Sequence, residues 1–433
     1  MFNRRDFFLS SAAAAAGTLA LSGNALAELA EQAPAMPDHS LYDRNEDAYW
    51  LAIRKQFLIP KDEIYLNNGT CGSTPLPVLK AVFDAYNRFE TMDDPNPEDY
   101  PLFGYGPFDQ YRQPLADFVG VGKDELAIVR NATEANAIMA NGLDLKPGDE
   151  VIISDQEHPS GEGPWFMRAK RYGIVIKKVA IEKPAKSHAD ILNAINDAIT
   201  PKTKVIFVSH ITTVTGVVLP VKEISALARS KGIVSMIDGA QAPGMMPLNI
   251  REIGCDMYGA SPHKWLNSPK GSGFLYVRDE MIDRMWSNTT TAGWDDPKMR
   301  AARFQQYGSS NIPIVAGMIA SIKFAQDIGL DRLEKRYRSL ADYGHTELLK
   351  RGAVSWTSPD PTMRCAIAAL NLAPIKIYDL ETAMWKNHRI RIRGGAPSKI
   401  RFAPGYYVQK SEIDTFLARF DDYKKNSSAG VAG

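Results

Sequence analysis

The chain has 433 residues, 45% of them hydrophobic and 23% charged, enough for a sizeable core and for one large domain with a smaller one. A formal charge of +1 leaves no basic surplus to gather on one face, so nucleic acid is not the expected partner, and small molecules or further copies of the chain are. Three widely spaced cysteines, Cys71, Cys255 and Cys365, fit neither a disulfide framework nor a zinc site, and no metal is expected.

Residues 1–27 read as an address. The pair Arg4-Arg5 precedes Asp6-Phe7-Phe8-Leu9 and an alanine-rich run from Ser11 to Leu21, too short and too weakly apolar for a stable membrane span. Ala25-Leu26-Ala27 offers the small residues a signal peptidase needs, which places cleavage after Ala27. This stretch resembles the twin-arginine export signal, whose pathway carries folded proteins across the bacterial inner membrane, so the expected location is the periplasm. Residues 28–64 are then an N-terminal arm, polar and Pro-containing from Glu28 to Asp47.

Short β-type runs alternate with helical stretches from there on. Candidate strands are Ala127–Arg130, Val151–Ser154, Ile174–Val179, Val205–Ser209 and Ile233–Ile237; candidate helices are Glu134–Gly142, Glu162–Arg171, Ala189–Ala198 and Val221–Ser230. The alternation predicts an α/β domain over 65–311, a mostly parallel sheet with helices on both faces and ligands beyond the carboxyl ends of the strands. Asp93-Asp94-Pro95-Asn96-Pro97-Glu98-Asp99 reads as a loop whose length suits a lid or arm. Beyond Ile312, long helices, a strand-like Ala366–Leu372 and a closing helix near Ser411–Arg419 predict a smaller α+β domain over 312–425, with a disordered tail over 426–433.

The strand ends carry the chemistry. Asn131-Ala132-Thr133-Glu134-Ala135 follows one strand and opens a helix, where free N–H groups and the Thr133 hydroxyl suit a phosphate, although Asn131 or Thr133 serving only as the helix cap reads equally well. Asp238, in Asp238-Gly239-Ala240-Gln241, has the chemistry to hold a heterocyclic nitrogen protonated, or else to cap a helix. Lys264 follows Ser261-Pro262-His263 and precedes the Gly-rich Pro269-Lys270-Gly271-Ser272-Gly273; buried there, it would lose its proton and become a nucleophile, whereas an isolated lysine is usually a surface charge.

Taken together, these runs resemble the signature of the class V aminotransferases, the pyridoxal-phosphate (PLP) family of cysteine desulfurases and isopenicillin N epimerase-like enzymes, from about Tyr65 to Phe416. The resemblance implies the PLP-dependent fold type I and a role for each residue. Lys264 would carry the cofactor as a Schiff base and move protons at the substrate Cα, Asp238 would pair with the pyridinium nitrogen, and Gln241 would bond the phenolic oxygen. Ala132, Thr133, Ser261 and His263 would hold the phosphate, and His158, in Gln156-Glu157-His158-Pro159, would stack on the ring. Arg401 aligns with the family arginine that takes the substrate carboxylate, with Arg391 and Arg393 as neighbouring competitors, because Phe402-Ala403-Pro404 replaces the usual polar residue after it. Ser309, in Gly308-Ser309-Ser310-Asn311, matches a segment that reaches the partner's phosphate across a homodimer interface.

Where one desulfurase subgroup carries its acceptor thiol, this chain reads Arg393-Gly394-Gly395-Ala396-Pro397, without a cysteine, which argues against a desulfurase. Transamination or a related tailoring reaction on a secreted peptide or siderophore amine is the expectation, on the likeness to exported enzymes that tailor pyoverdine. The alternatives are an isopenicillin N epimerase-like amino-acid epimerase, a C–S lyase, and a non-catalytic binding protein on the same fold.

Overall fold

The computed structural model describes residues 33–91, 108–291 and 293–429. Residues 1–27, expected as an export signal, residues 93–99, expected as a loop, and the last four residues lie outside them.

Helices α1 (His39–Arg44) and α2 (Glu46–Arg54) lead to the short strand β1 (Ile64–Tyr65). After α3 (Leu76–Glu90) and α4 (Asp109–Val119), the chain alternates through β2 (Leu126–Val129), α5 (Ala132–Gly142), β3 (Glu150–Ser154), α6 (Pro159–Tyr172), β4 (Val175–Val179), α7 (His188–Ala198), β5 (Thr203–Ser209), α8 (Val221–Ser230), β6 (Val234–Asp238), β7 (Met257–Ala260) and β8 (Gly273–Val277). These strands form one sheet in the order β2-β8-β7-β6-β5-β3-β4. The run from β7 through β6, β5 and β3 to β4 is parallel, and β8 is antiparallel to both neighbours.

Alternation along each strand builds two cores. Ile128, Ile206, Val208 and Ile237 face one apolar cluster, while Ala127, Val129, Val205, Phe207 and Met236 face the other. Helices cover both faces, which is why the central strands read as continuous apolar runs. The edge strand β4 instead carries Lys177 and Lys178, charges that discourage pairing with another chain.

The second region follows: α9 (Ile312–Ile328), α10 (Leu330–Lys350), β9 (Val354–Ser355), β10 (Ala368–Asn371), α11 (Ile377–His388), β11 (Ile390–Arg391), β12 (Arg393–Gly395), β13 (Lys399–Phe402) and α12 (Lys410–Ala429). Its antiparallel sheet has the order β12-β13-β10-β9, and β11 pairs in parallel with β1.

All five predicted strands and four predicted helices are present within a few residues of their expected bounds. β8 was not among them, since a Gly-rich approach obscured the run Phe274-Leu275-Tyr276-Val277. The segment 28–64, expected as an arm, is helical over α1 and α2 and buries Tyr49, Trp50 and Ile53. Trp50 packs 6.3 Å from Tyr406, and Phe57 4.5 Å from Tyr407, so this stretch belongs to the core beside the C-terminal region. α12 extends to Ala429, further than the expected start of the tail. No single described helix is long and apolar enough to cross a membrane.

Candidate active site

The loops beyond the carboxyl ends of the central strands meet the β12–β13 hairpin and residues 67–70 around a cavity of about 580 Å³. Lys264, Asp238, His158, Ala132, Thr133, Gln241, Ser261, His263 and Arg401 all line it.

At the start of α5 the two readings of the turn separate. Asn131 is the cap, its side chain accepting the Glu134 N–H at 3.0 Å, while the Ala132 N–H donates to Ser261 Oγ at 2.8 Å. Thr133 is thereby left to face the cavity at a helix N-terminus, where partial positive charge favours an anion. His263 Nδ1 lies 3.3 Å from the Ser272 carbonyl, and burial together with the Lys264 charge lowers its pKa to about 4. A dianion beside this ring would work against that push and favour the protonated form.

Asp238 ends β6 without starting a helix. Its Oδ1 accepts the Ala240 N–H at 2.9 Å and its Oδ2 accepts from Asn136 Nδ2 at 2.8 Å, so the buried carboxylate is held in one orientation. The neighbouring Gly239 supplies room and not backbone freedom: a Cβ there would fall 1.9 Å from the Tyr258 ring, so space alone excludes a side chain.

Lys264 stands inside the cavity and is no surface charge. Burial lowers its pKa to about 8, Asp238 opposes the shift, and Arg401 adds to it. The carbonyl of Lys264 accepts from Asn68 Nδ2 at 3.1 Å, and Gly72 packs so closely that a Cβ would lie 2.3 Å from that oxygen. Gln241 is oriented by two bonds, donating to Gly69 O at 3.1 Å and accepting from Trp265 Nε1 at 2.6 Å. His158 caps α6 through Nδ1, which accepts the Ser160 N–H at 3.1 Å. With Nδ1 so engaged, the proton of the neutral ring sits on Nε2; burial, then Lys264, hold the pKa of this ring below its ordinary value.

The substrate end is built around Arg401. Its guanidinium donates to Thr213 Oγ1 at 2.6 Å, Asn67 Oδ1 at 2.9 Å and Thr70 Oγ1 at 2.5 Å, and its Nε is buried without a partner among the described residues. Phe402 points to the core, 6.1 Å from Phe416, so the unusual residue after Arg401 does not disturb its placement. Among the competitors, Arg393 also lines the cavity, whereas Arg391 stacks over Trp385 at 3.4 Å and is not on the wall. Ser309 is exposed and outside the cavity.

Sequence reasoning missed Asn136, Thr213 and Lys399. Asn136 lies one turn into α5 and reaches Asp238, Thr213 lies in a polar run after β5, and Lys399 starts β13; only the fold brings them to the site. Glu157 was also missed: buried and bonded to Ser154 and Ser209, it has its pKa pushed up to about 7 by burial. None of the three cysteines is on the cavity wall; Cys365 is buried with its Sγ 3.1 Å from the Gly216 carbonyl.

This arrangement fits pyridoxal phosphate on its own chemistry: an enclosed amine with a lowered pKa, a fixed carboxylate, and a helix N-terminus beside Ser261 and His263 converge on one cavity.

The aminotransferase class-V family model matches residues 64–416. An isopenicillin N epimerase of Streptomyces clavuligerus is 28% identical over 395 residues, covering 86% of this chain and 98% of its own. A probable cysteine desulfurase of Pyrococcus abyssi is 25% identical over 396 residues, covering 86% and 97%. Among solved structures, the apo cysteine desulfurase of Thermococcus onnurineus superposes with a TM-score of 0.77 at 23% identity, covering 86% of this chain and 98% of that one.

Proposed function

Because the chain belongs to the class V aminotransferase family of PLP enzymes, we propose that it acts at the Cα of a free amino group, by transamination or a related tailoring reaction on an exported peptide-like or siderophore amine. The observation that carries this reading is the enclosed Lys264 amine, with a pKa of about 8, in one cavity with Arg401.

When bound, the cofactor supplies an electron sink for the charge left at Cα. Asp238, fixed by Ala240 and Asn136, keeps a ring nitrogen protonated. Arg401 takes the substrate carboxylate, its paired donors already aligned by Thr213, Asn67 and Thr70. Lys264 is placed to take the Cα proton and carry it to a second carbon on the same side, and loss of its own proton near pH 8 makes its amine available as that base. His158, with Nδ1 tied to Ser160, walls the cavity beside Pro159. A one-base proton shift suits transamination, since epimerisation needs a second acid on the opposite side.

The twin-arginine-like start supports action in the periplasm, where free amino acids are scarce and a pyoverdine-like glutamyl side chain is a reasonable target. Replacing Arg4-Arg5 with Lys-Lys is expected to trap precursor in the cytoplasm; normal periplasmic recovery would argue for another route. A homodimer completes the proposal, with the exposed Ser309 reaching the partner's phosphate site, and light scattering reads it directly.

Likeness to isopenicillin N epimerases favours epimerisation as the second reading. Incubation of candidate amines in deuterated water separates the two: a keto product with pyridoxamine-phosphate absorbance supports transamination, and inversion with Cα deuterium and no keto product supports the epimerase.

A further inference from the structure

The β12–β13 hairpin presents more positive charge to the cavity than one carboxylate accounts for. Arg393 and Arg401 are direct cross-strand partners, and Gly395 is opposite Lys399. Lys399 and Arg401 are two apart on one strand, so all three cations share a face, and all three line the cavity. Like charges directly opposite one another weaken a strand pair unless something anionic lies between them.

The protein answers little of that charge. Arg401 has only uncharged partners, Thr213, Asn67 and Thr70. Glu381 approaches Arg393 no closer than 3.8 Å and accepts the Gly394 N–H with its other oxygen. Lys183, which adds to the positive field at Lys399, is itself paired with Asp155 at 3.3 Å. Lys399 has neither a carboxylate nor a hydrogen-bond partner among the described residues, and its ammonium end lies beside Gly395, where a Cβ would stand 3.3 Å from Nζ. Its burial and the neighbouring Arg401 lower its pKa, the cost of a cation placed where no anion of the protein meets it.

Resting on the reading that Arg401 takes the carboxylate beside the reacting amine, we infer that Lys399 and Arg393 form a second anion subsite, so that the substrate is an amine carrying a further acidic group, of the aspartate or glutamate class. The hairpin makes this subsite rigid: Gly394 packs so closely on Ile377 and the Lys399 carbonyl that a Cβ would come within 2.1 Å of each.

The test uses the holoenzyme with both enantiomers of glutamate and glutamine as probes, reading dissociation constants from the change in cofactor absorbance. Glutamate is expected to bind about tenfold more tightly than glutamine, because a charge-assisted bond at the partly buried Lys399 distinguishes them. Lys399→Met should bring the two constants together, Lys399→Arg should keep the preference, and Lys399→Glu should reverse it. Equal binding of the two by the wild type, or an unchanged ratio in Lys399→Met, would overturn the subsite. Glutarate, which has no amine, gives an independent reading: it should raise the melting temperature of the wild type and not of Lys399→Met, and an equal rise in both would also overturn it. If neither amino acid alters the absorbance, the underlying reading that Arg401 takes the carboxylate beside the reacting amine falls, while the glutarate result still decides the subsite.

Discussion

The two halves of the cavity are built in opposite ways. The half that holds Asp238, Lys264 and the start of α5 comes from turns that each follow a single strand, and its polar groups bond one another: Ala132 to Ser261, Asn136 to Asp238, Trp265 to Gln241. The half around Arg401 comes from residues 67–70, Thr213 and the β12–β13 hairpin, and it leaves cations with few anionic partners. One half is therefore oriented by bonds within the protein before anything binds, and the other leaves its charge for the bound molecule to answer.

The largest expected effect tests the first half. Lys264→Ala should cut turnover by roughly 10⁴-fold, the upper range for a positioned proton carrier, while circular dichroism stays native. Asp238→Asn should retain some cofactor and lose roughly 10²–10³-fold in kcat, as expected when a preorganised charge is removed. Unchanged kinetics in that variant would assign the role to another group.

Arg401→Gln should act mainly on KM, raising it by about one to two orders of magnitude for loss of a charge-assisted bond. The same substitution joins the halves, because the Arg401 charge helps lower the Lys264 pKa. Capture of PLP by apoenzyme needs the neutral amine, so its rate should rise with pH and level off above about 8. Removing Arg401 should move that midpoint up, and Asp238→Asn, which removes an opposing charge, should move it down. A midpoint that ignores both variants would show that the two halves are electrically separate.

Legibility in the sequence followed the same division. Asp238-Gly239-Ala240-Gln241 and Ser261-Pro262-His263-Lys264 could be read because each lies in a few consecutive residues after an apolar run. The parallel strands were readable for a related reason, since burial on both faces makes them uniformly apolar. Thr213 and Lys399 carry no local mark, and only sheet register places Lys399 beside Arg401. β8 was hidden by its Gly-rich approach, and the order in which it inserts between β2 and β7 is a property of topology.

The smallest effects concern glycines. Gly72→Ala should destabilise by about 1–3 kcal/mol, as for overpacking in general, and should loosen Lys264, because the added Cβ would press on its carbonyl. Gly163→Ala, in α6 with open space beyond its chain neighbours, should be near neutral, because the gain in chain entropy is offset by the crowding of a pre-proline Cβ against Pro164. Chemical denaturation of the pair measures both.

Residues 64–74 have a consequence for the order in which the molecule is made. They bond to both regions at once: Ile64 N–H to the Arg389 carbonyl, Asn68 N–H to the Ala403 carbonyl, Asn68 Nδ2 to Lys264, and Thr74 to Ser268. A ribosome releases the segment early, yet several of its partners emerge more than three hundred residues later. Until then the loop bearing Lys264 lacks the chain that packs against it, and such distant pairings form slowly. The catalytic cavity is thus one of the last parts to close, after synthesis has passed Ala403, and a C-terminally truncated chain ending before β11 should be unable to hold its lysine in place.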